Sequence, residues 1–325
     1  MTAASVGYLP TLRSWASQIG ITAAFIVLWI VFIVLAPDTF LDSRIYLSFG
    51  QTTPYFALVA LPLTMVIVCG DIDLSFPSTM ALGMVGFLAV ERTTQNVELG
   101  VLAAVVVGAL AGLLNGAIVT VIGIPSLVVT IGTQFLYRGL TLVLVNGRSY
   151  ALVEVEGTPG YRLMVGRLFG VPMQFIWLVV AAVVTWLLLY RHRLGQNAHV
   201  IGDNKQAAAL MGIPLRGTRI ILFVLTGVAA AFAGAMNSFQ ISNFYPAMGA
   251  GYLLPTLAAV FVGGTSVFGG RGSIWGTFIG AFMIGGITAG IVAVGITDYY
   301  TNLIYGGIVL IALCIHAILQ RRFTR

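Results

Sequence analysis

Long apolar runs are the feature of this sequence that most restricts its fold. Stretches such as 20–36, 99–122 and 173–190 carry no charged residue over 17 to 24 positions. A helix needs about 20 mainly apolar residues to cross the hydrocarbon core of a bilayer. Only 8% of the 325 residues are charged and 59% are hydrophobic, whereas a soluble domain has about 25% charged residues. The sequence therefore predicts an all-α, polytopic membrane protein.

The apolar runs predict about ten transmembrane helices in a single domain that covers residues 1–325. The predicted spans are 20–36, 53–70, 76–90, 99–122, 126–145, 173–190, 220–241, 252–266, 274–295 and 299–319. Glycine-containing polar stretches predict broken helices near 70–75 and 263–273. The chain has 39 glycines, which predicts close helix packing through small residues. No signal-peptide cleavage site follows the first run, so we expect that run to remain as an anchor.

Charge predicts the orientation of the chain. The stretch Arg191–Arg219 is the longest hydrophilic interruption with a basic excess, and it holds five of the sixteen Lys and Arg residues. Cytoplasmic loops of membrane proteins carry such an excess. We therefore expect 191–219 and both termini in the cytoplasm, and the acidic, glycine-rich loop 146–172 outside. The net charge of +6 then arises mostly from cytoplasmic arginines, and no nucleic-acid partner is expected.

The middle of 191–219 has the pattern of a short helix. Asp203 or Asn204 can cap its N-terminus, because a short side-chain acceptor satisfies free backbone N–H groups. Gly212 permits a left-handed exit, and Pro214 prevents continuation. The residues that share an apolar face at helical spacing are Ala207, Leu210 and Met211. Such a face fits either a docking surface for another protein or a plain connecting loop, and the pattern leaves both open.

The motif GDIDLS, which begins at Gly70, places two carboxylates in or near the membrane. Asp71 and Asp73 would lie on opposite faces of a continuous helix, and a charged residue there costs about 2.5–3.5 kcal/mol. A broken helix resolves this conflict. Gly70 allows the turn, Ser75 can cap the next helix, and Pro77 is tolerated in the first helical turn.

Several roles for these two acids stay open. They can hold the break together, or they can line a polar path through the membrane. An Asp-x-Asp triplet can also bind a divalent metal, but no further ligand cluster accompanies it. Intramembrane acids also serve ion-coupled symporters.

Amide side chains within the spans are further candidates for a water-filled pathway, although bonding to a neighbouring helix explains them equally well. They are Asn115, Gln134, Asn237 and Gln240. Arg138 is expected to extend to the outer surface. The two cysteines and three histidines have no metal-ligand spacing. The sequence shows no catalytic triad, P-loop or dinucleotide motif, so neither a catalytic residue, a metal site nor a cofactor is predicted, and ATP hydrolysis requires another subunit.

Four ordered motifs resemble the membrane permeases of ribose-type monosaccharide ABC importers. They are GDIDLS, IPSLVVTIGTQFLYRGL at 124–140, LGQNAHVIGDNKQAAALMGI at 194–213 and VGGTSVFGGRGSIWGTFIGA at 262–281. The resemblance implies a bacterial inner-membrane subunit, surrounded by lipid, that pairs with a second permease copy, a cytoplasmic ABC ATPase and an extracytoplasmic sugar-binding protein. It also implies an ATPase-coupling helix. The implied coupling residues are Gly202, Asp203, Asn204, Ala207, Ala208, Leu210 and Gly212.

The resemblance implies alternating-access transport of a small sugar or polyol, driven by the ATPase subunit. Two departures affect the substrate. The family pattern GGIDLS reads GDIDLS here, which adds Asp71, and the stretch GYLLPTLAA at 251–259 lacks an acidic pair that many members carry. The alternative function is a stand-alone, ion-coupled secondary transporter that uses Asp71 and Asp73.

Overall fold

The computed structural model describes residues 12–293 and 299–323 of the chain, with side-chain environments for 18–291 and 300–314. The first eleven residues, on which part of the predicted topology depends, lie outside the described residues. The described residues are mainly helical, with only four two-residue strands, which confirms the all-α prediction.

Fifteen α-helices are numbered here in chain order within the described ranges. They are α1 Leu12–Leu35, α2 Pro37–Phe40, α3 Ser43–Thr52, α4 Pro54–Val68, α5 Phe76–Thr94, α6 Val97–Ala117, α7 Ser126–Leu144, α8 Pro159–Val165, α9 Met173–Tyr190, α10 Arg193–Asp203, α11 Lys205–Leu210, α12 Leu215–Gln240, α13 Leu253–Val262, α14 Ile274–Ala293 and α15 Tyr299–Phe323. A π-helical turn, Ile118–Ile122, extends α6. The four short strands are β1 Tyr150–Ala151, β2 Arg167–Leu168, β3 Val171–Pro172 and β4 Asn243–Phe244.

The number of helices able to cross a membrane is smaller than the ten predicted. Within the described residues, six helices are long and apolar enough, and a seventh span arises if α3 and α4, which meet at 52°, count as one. The predicted span 252–266 corresponds to α13, which has only ten residues. Ten residues rise about 15 Å, half of a hydrocarbon core about 30 Å thick. The apolar run is therefore longer than its helix, because the glycines after Val262 end the helix early.

The centre of the fold is α12, which packs against α4, α5 and α6. Its contact with α6 is made by backbone rather than by large side chains. A Cβ added to Gly112 would lie 2.3 Å from the Phe223 carbonyl oxygen, and one added to Gly227 would lie 2.1 Å from the Gly108 oxygen. Close backbone approach of this kind requires glycine, which explains part of the glycine content.

The loops 146–172 and 191–214 lie at opposite ends of α9. In the first loop, β1 pairs antiparallel with β4, so that Tyr150 lies opposite Phe244. Strands β2 and β3 form a small hairpin, and α8 packs against α12. The predicted outer loop is therefore a folded cap on one end of the helices, tied to the segment that follows α12.

Candidate functional site

The loop after α9 contains two short helices, α10 and α11. The His192 side chain accepts a hydrogen bond from the Leu194 backbone N–H at 3.1 Å and caps α10. Asn204 accepts from the backbone N–H groups of Gln206 and Ala207, both at 3.0 Å, and caps α11. Of the two predicted capping residues, Asn204 is therefore the one that acts. Gly212 follows in the left-handed region, with φ of +73°, as the predicted helix exit requires.

Both predicted breaks meet at Gly202 in α10. A Cβ on Gly202 would lie 1.9 Å from the carbonyl oxygen of Val68 and 2.5 Å from the backbone nitrogen of Gly270. That Gly270 nitrogen donates a hydrogen bond of 2.8 Å to Val68 O. The His199 ring nitrogen Nδ1 lies 2.9 Å from Gly270 O. Helix α10 therefore packs directly on the end of α4 and on the 263–273 turn, with backbone atoms in contact at Gly202.

Glycine shapes the 263–273 turn at two positions that face this junction. Gly269 and Gly270 have φ of +85° and +73°, a region that other residues rarely adopt. A Cβ on Gly270 would also lie 2.0 Å from Oδ1 of Asp203. The motif carrying these glycines and the motif carrying Asp203 are therefore neighbours in space. The sequence presented them as separate features.

Asp71 forms a buried ion pair with Arg219. The Arg219 guanidinium donates from Nε to Oδ2 and from Nη2 to Oδ1, both at 2.6 Å. The two side chains are only 6% and 10% exposed. A two-point contact of this type is among the strongest charge-assisted interactions in proteins. The pair joins the break after α4 to the first turns of α12. In the sequence, Arg219 stands at the end of the basic stretch, 148 positions from Asp71, and the one signal for this pairing is that a carboxylate in an apolar chain requires a cation.

Asp73 belongs to a separate network of hydrogen bonds. Its Oδ1 accepts from the backbone N–H of Ser75 at 2.8 Å and from the Ser75 hydroxyl at 2.7 Å. The Ser75 hydroxyl accepts from Asn115 Nδ2 at 2.7 Å, and Tyr137 donates to Asn115 Oδ1 at 3.0 Å. All four side chains are buried. This network joins the break to α6 and α7.

The predicted cap at Ser75 is wrong in its detail. Ser75 does occupy the position before α5, but its side chain makes no capping hydrogen bond. The hydroxyl instead donates to Asp73 and accepts from Asn115. The geometry favours the interpretation that Asp73 holds the break together.

The other amide candidates are dispersed in the structure. Gln240, at the exposed end of α12, accepts from Gln174 Nε2 at 2.6 Å. Asn237 is buried in α12, and Gln134 is half-buried on α7. The structure does not bring these residues together with the Asp73 network, apart from Asn115. A pathway role for Gln134, Asn237 and Gln240 stays a prediction.

Arg138 does not extend to the surface as predicted. Its guanidinium donates to the carbonyl oxygen of Pro246, to Met248 O at 3.0 Å and, over a longer distance of 3.5 Å, to Pro77 O. Carbonyl groups in an irregular segment need donors when they are buried. Arg138 therefore ties the segment between α12 and α13 to α7.

The free face of α11 is apolar at its end. Leu210 is 90% exposed and Met211 is 70% exposed, whereas Ala208 is fully buried within the chain. The family resemblance implies that Ala208 is one of the residues that contact the ATPase. The structure corrects this, because Ala208 faces the interior of the chain and only its neighbours are accessible.

Among the described residues, no group of three or more His, Cys, Asp or Glu side chains could hold a metal ion. Cys69 is buried, and Cys314 lies exposed on a different helix.

Comparison with known proteins gives a family. The family model described as "Branched-chain amino acid transport system / permease component" matches residues 45–313. The chain is 32% identical over 295 residues to the autoinducer 2 import system permease protein LsrD of Photorhabdus luminescens, covering 89% of this chain and 88% of the relative. It is 31% identical over 318 residues to the protein of the same name from Yersinia pseudotuberculosis serotype O:3, covering 93% and 95%. No solved structure matches.

The family match covers well over half of the chain, and both relatives are covered almost completely. The motif-based resemblance to ABC importer permeases is thereby confirmed. Each of the relatives is named as a permease of an import system, and none as an enzyme. With its apolar helices and these matches, the chain belongs to the branched-chain amino acid transport system / permease component family, as a multi-pass inner-membrane permease subunit of an ABC importer.

Proposed function

We propose that this permease translocates a small sugar or polyol by alternating access, driven by a separate ATPase subunit. Similarity to permeases named for autoinducer 2 import, over 88% or more of their length, makes a small signal of that kind the first substrate to test. The observation that carries the mechanism is the contact of α10 with both helix breaks at Gly202.

The junction provides a short mechanical path. Because Gly202 of α10 touches the end of α4 and the 263–273 turn through backbone atoms, this contact leaves no gap to absorb a displacement of the loop. Interiors packed at this density move as units rather than deforming continuously. A movement of α10 would therefore shift the ends of α4 and α13 together. The Asp71–Arg219 pair would carry the same movement to α12.

We place the ATPase contact at the exposed end of α11. Leu210 and Met211 form an exposed apolar pair on a polar loop, and exposed apolar patches rimmed by polar residues mark sites of interaction with other proteins or membranes. The basic excess of 191–219 supports a cytoplasmic position for this loop. The opposite cap, with exposed Glu154 and Glu156, is the proposed docking face for a sugar-binding protein. A second permease copy would complete the transport path.

The ion-coupled alternative receives no support from the site. Asp71 is paired with Arg219, and Asp73 is satisfied by Ser75. A coupling carboxylate must exchange protons or ions with a water-filled cavity, and these two are 5% and 1% exposed. Purified permease alone in liposomes should therefore show no uptake under a proton or sodium gradient. Gradient-driven uptake without an ATPase would contradict the proposal.

The direct test combines co-purification and uptake. We expect Leu210→Asp to abolish co-purification with a co-expressed ABC ATPase subunit, and to stop ATP-dependent uptake of the labelled substrate. The matched control is Phe169→Asp, since Phe169 is 98% exposed on the opposite cap, and this variant should keep the ATPase bound. Normal uptake by the Leu210→Asp variant would show that α11 is only a connecting segment.

A further inference from the structure

A large groove lies between three of the membrane-spanning helices, and none of its lining residues takes part in the contact at Gly202. Its volume is about 960 Å³. Helix α1 packs against α14, and the groove is the open space between α1 and α9, with α14 at its base. The main lining side chains are Ile19 and Ile26 of α1, Val179 and Val183 of α9, and Trp275 and Phe278 of α14.

The groove is apolar and accessible along its length. Ile19 and Ile26 of α1 and Val183 of α9 are each more than half exposed. The three helices that form the groove, α1, α9 and α14, are all long enough to cross the membrane. In a bilayer, side chains at this depth face hydrocarbon rather than water. The occupant of the groove must therefore have an apolar portion of comparable length.

Aromatic side chains mark one end of the groove. Trp186 and Tyr190 end α9, and Trp275 begins α14. The Tyr190 hydroxyl donates to Gly272 O at 3.3 Å, and Trp275 Nε1 donates to the Thr22 hydroxyl at 3.4 Å. Tyr and Trp concentrate where a membrane protein meets the lipid headgroups. This end of the groove is therefore expected at headgroup level.

Two arginines flank the same end. Arg191 follows Tyr190, and its guanidinium lies 5.8 Å from the centre of the Trp186 ring. Arg271 precedes Gly272, whose carbonyl accepts from Tyr190. Both arginines are exposed, and among the described residues neither takes part in an ion pair. The groove thus combines an apolar channel with free positive charge at its headgroup end.

We infer that this groove binds an anionic phospholipid, with acyl chains between α1 and α9 and the phosphate held by Arg191 and Arg271. Charge complementarity selects this occupant over a zwitterionic lipid, because basic residues at a membrane surface attract anionic lipids. The bound lipid would fill the open side of α1 and hold that helix against α14. The inference depends on the membrane location of the chain and not on its transport substrate.

Native mass spectrometry of the purified full chain tests this inference, with phosphatidylglycerol and phosphatidylcholine of identical acyl chains as probes. We expect one tightly held phosphatidylglycerol per chain and much weaker retention of phosphatidylcholine. Each of Arg191→Gln and Arg271→Gln should weaken phosphatidylglycerol binding about fivefold, the factor for one basic residue near an anionic surface. Arg167→Gln, at the exposed opposite cap, should leave binding unchanged.

A second pair of variants tests the acyl-chain site independently of charge. Ala23 lines the groove, whereas Ala24, which is also exposed on α1, is not among the lining residues. Ala23→Trp should displace the lipid, and Ala24→Trp should not. Equal retention of both lipids, or equal effects of Ala23→Trp and Ala24→Trp, would overturn the inference. Cross-linking of Ala23→Cys to a helix of another subunit, with no lipid retained, would overturn it in favour of a protein occupant.

Discussion

Removing one partner of the Asp71–Arg219 pair should destabilise the permease strongly. Asp71→Asn keeps the shape of the side chain but leaves the Arg219 guanidinium buried without its counter-charge. The two side chains are 6% and 10% exposed, so water cannot replace the carboxylate. Breaking a buried pair from one side typically costs about 3–5 kcal/mol, whereas replacing both partners with uncharged residues is often close to neutral.

The assay is reversible unfolding of the purified permease in mixed micelles, monitored for the wild type, Asp71→Asn, Arg219→Gln and the double variant. We expect each single variant to lose several kcal/mol and the double variant to recover most of that loss. Arg219→Lys should be more stable than Arg219→Gln but less stable than the wild type, because an ammonium group does not reproduce the two-point contact. The matched control is Asp42→Asn, which removes an exposed pair with Arg44 and should leave stability unchanged.

The wild type, the two single variants and the double variant form a double-mutant cycle, which measures the energetic coupling of Asp71 and Arg219. If the losses of Asp71→Asn and Arg219→Gln simply add in the double variant, the two side chains are not energetically coupled. An unchanged free energy of unfolding in Asp71→Asn would show that Arg219 finds water or another acceptor at the site. Either outcome would contradict the proposal that the Asp71–Arg219 pair transmits movement of the loop to α12.

Three further predictions address orientation, the break and the junction. A cysteine at Glu154 should react with an impermeant thiol reagent added outside intact cells, and one at Lys205 should not; the opposite pattern would reverse the proposed topology. Asp73→Ala should lower the free energy of unfolding by about 1–3 kcal/mol, because two buried donors lose their acceptor, and unchanged thermal stability would contradict the network. Gly202→Ala should uncouple ATP hydrolysis from uptake since its Cβ would clash with α4 at 1.9 Å, whereas Gly217→Ala, with open space around it, should transport normally.

Local features of the sequence were sufficient to predict the fold class and the presence of helix α11 in the basic loop. Apolar runs predict membrane helices because each residue's transfer free energy depends mainly on its own side chain. Asn204 predicts the start of a helix because a capping side chain bonds backbone N–H groups only two or three residues further along the chain. The count of ten spans was less reliable, because hydropathy indicates apolar segments and not the residue at which a helix ends. For α13 the helix is ten residues long.

The residue pattern alone predicts a helical membrane protein with close glycine packing, a basic loop and two interrupted helices. Which of these features come into contact depends on the tertiary structure. Asp71 and Arg219 are 148 positions apart, and Gly202 contacts segments that precede and follow it by more than 60 residues. The inward face of Ala208 was likewise decided by packing, since a helical pattern defines faces but not which one is covered. Such contacts depend on how the helices cross, and no local preference of a residue encodes that geometry.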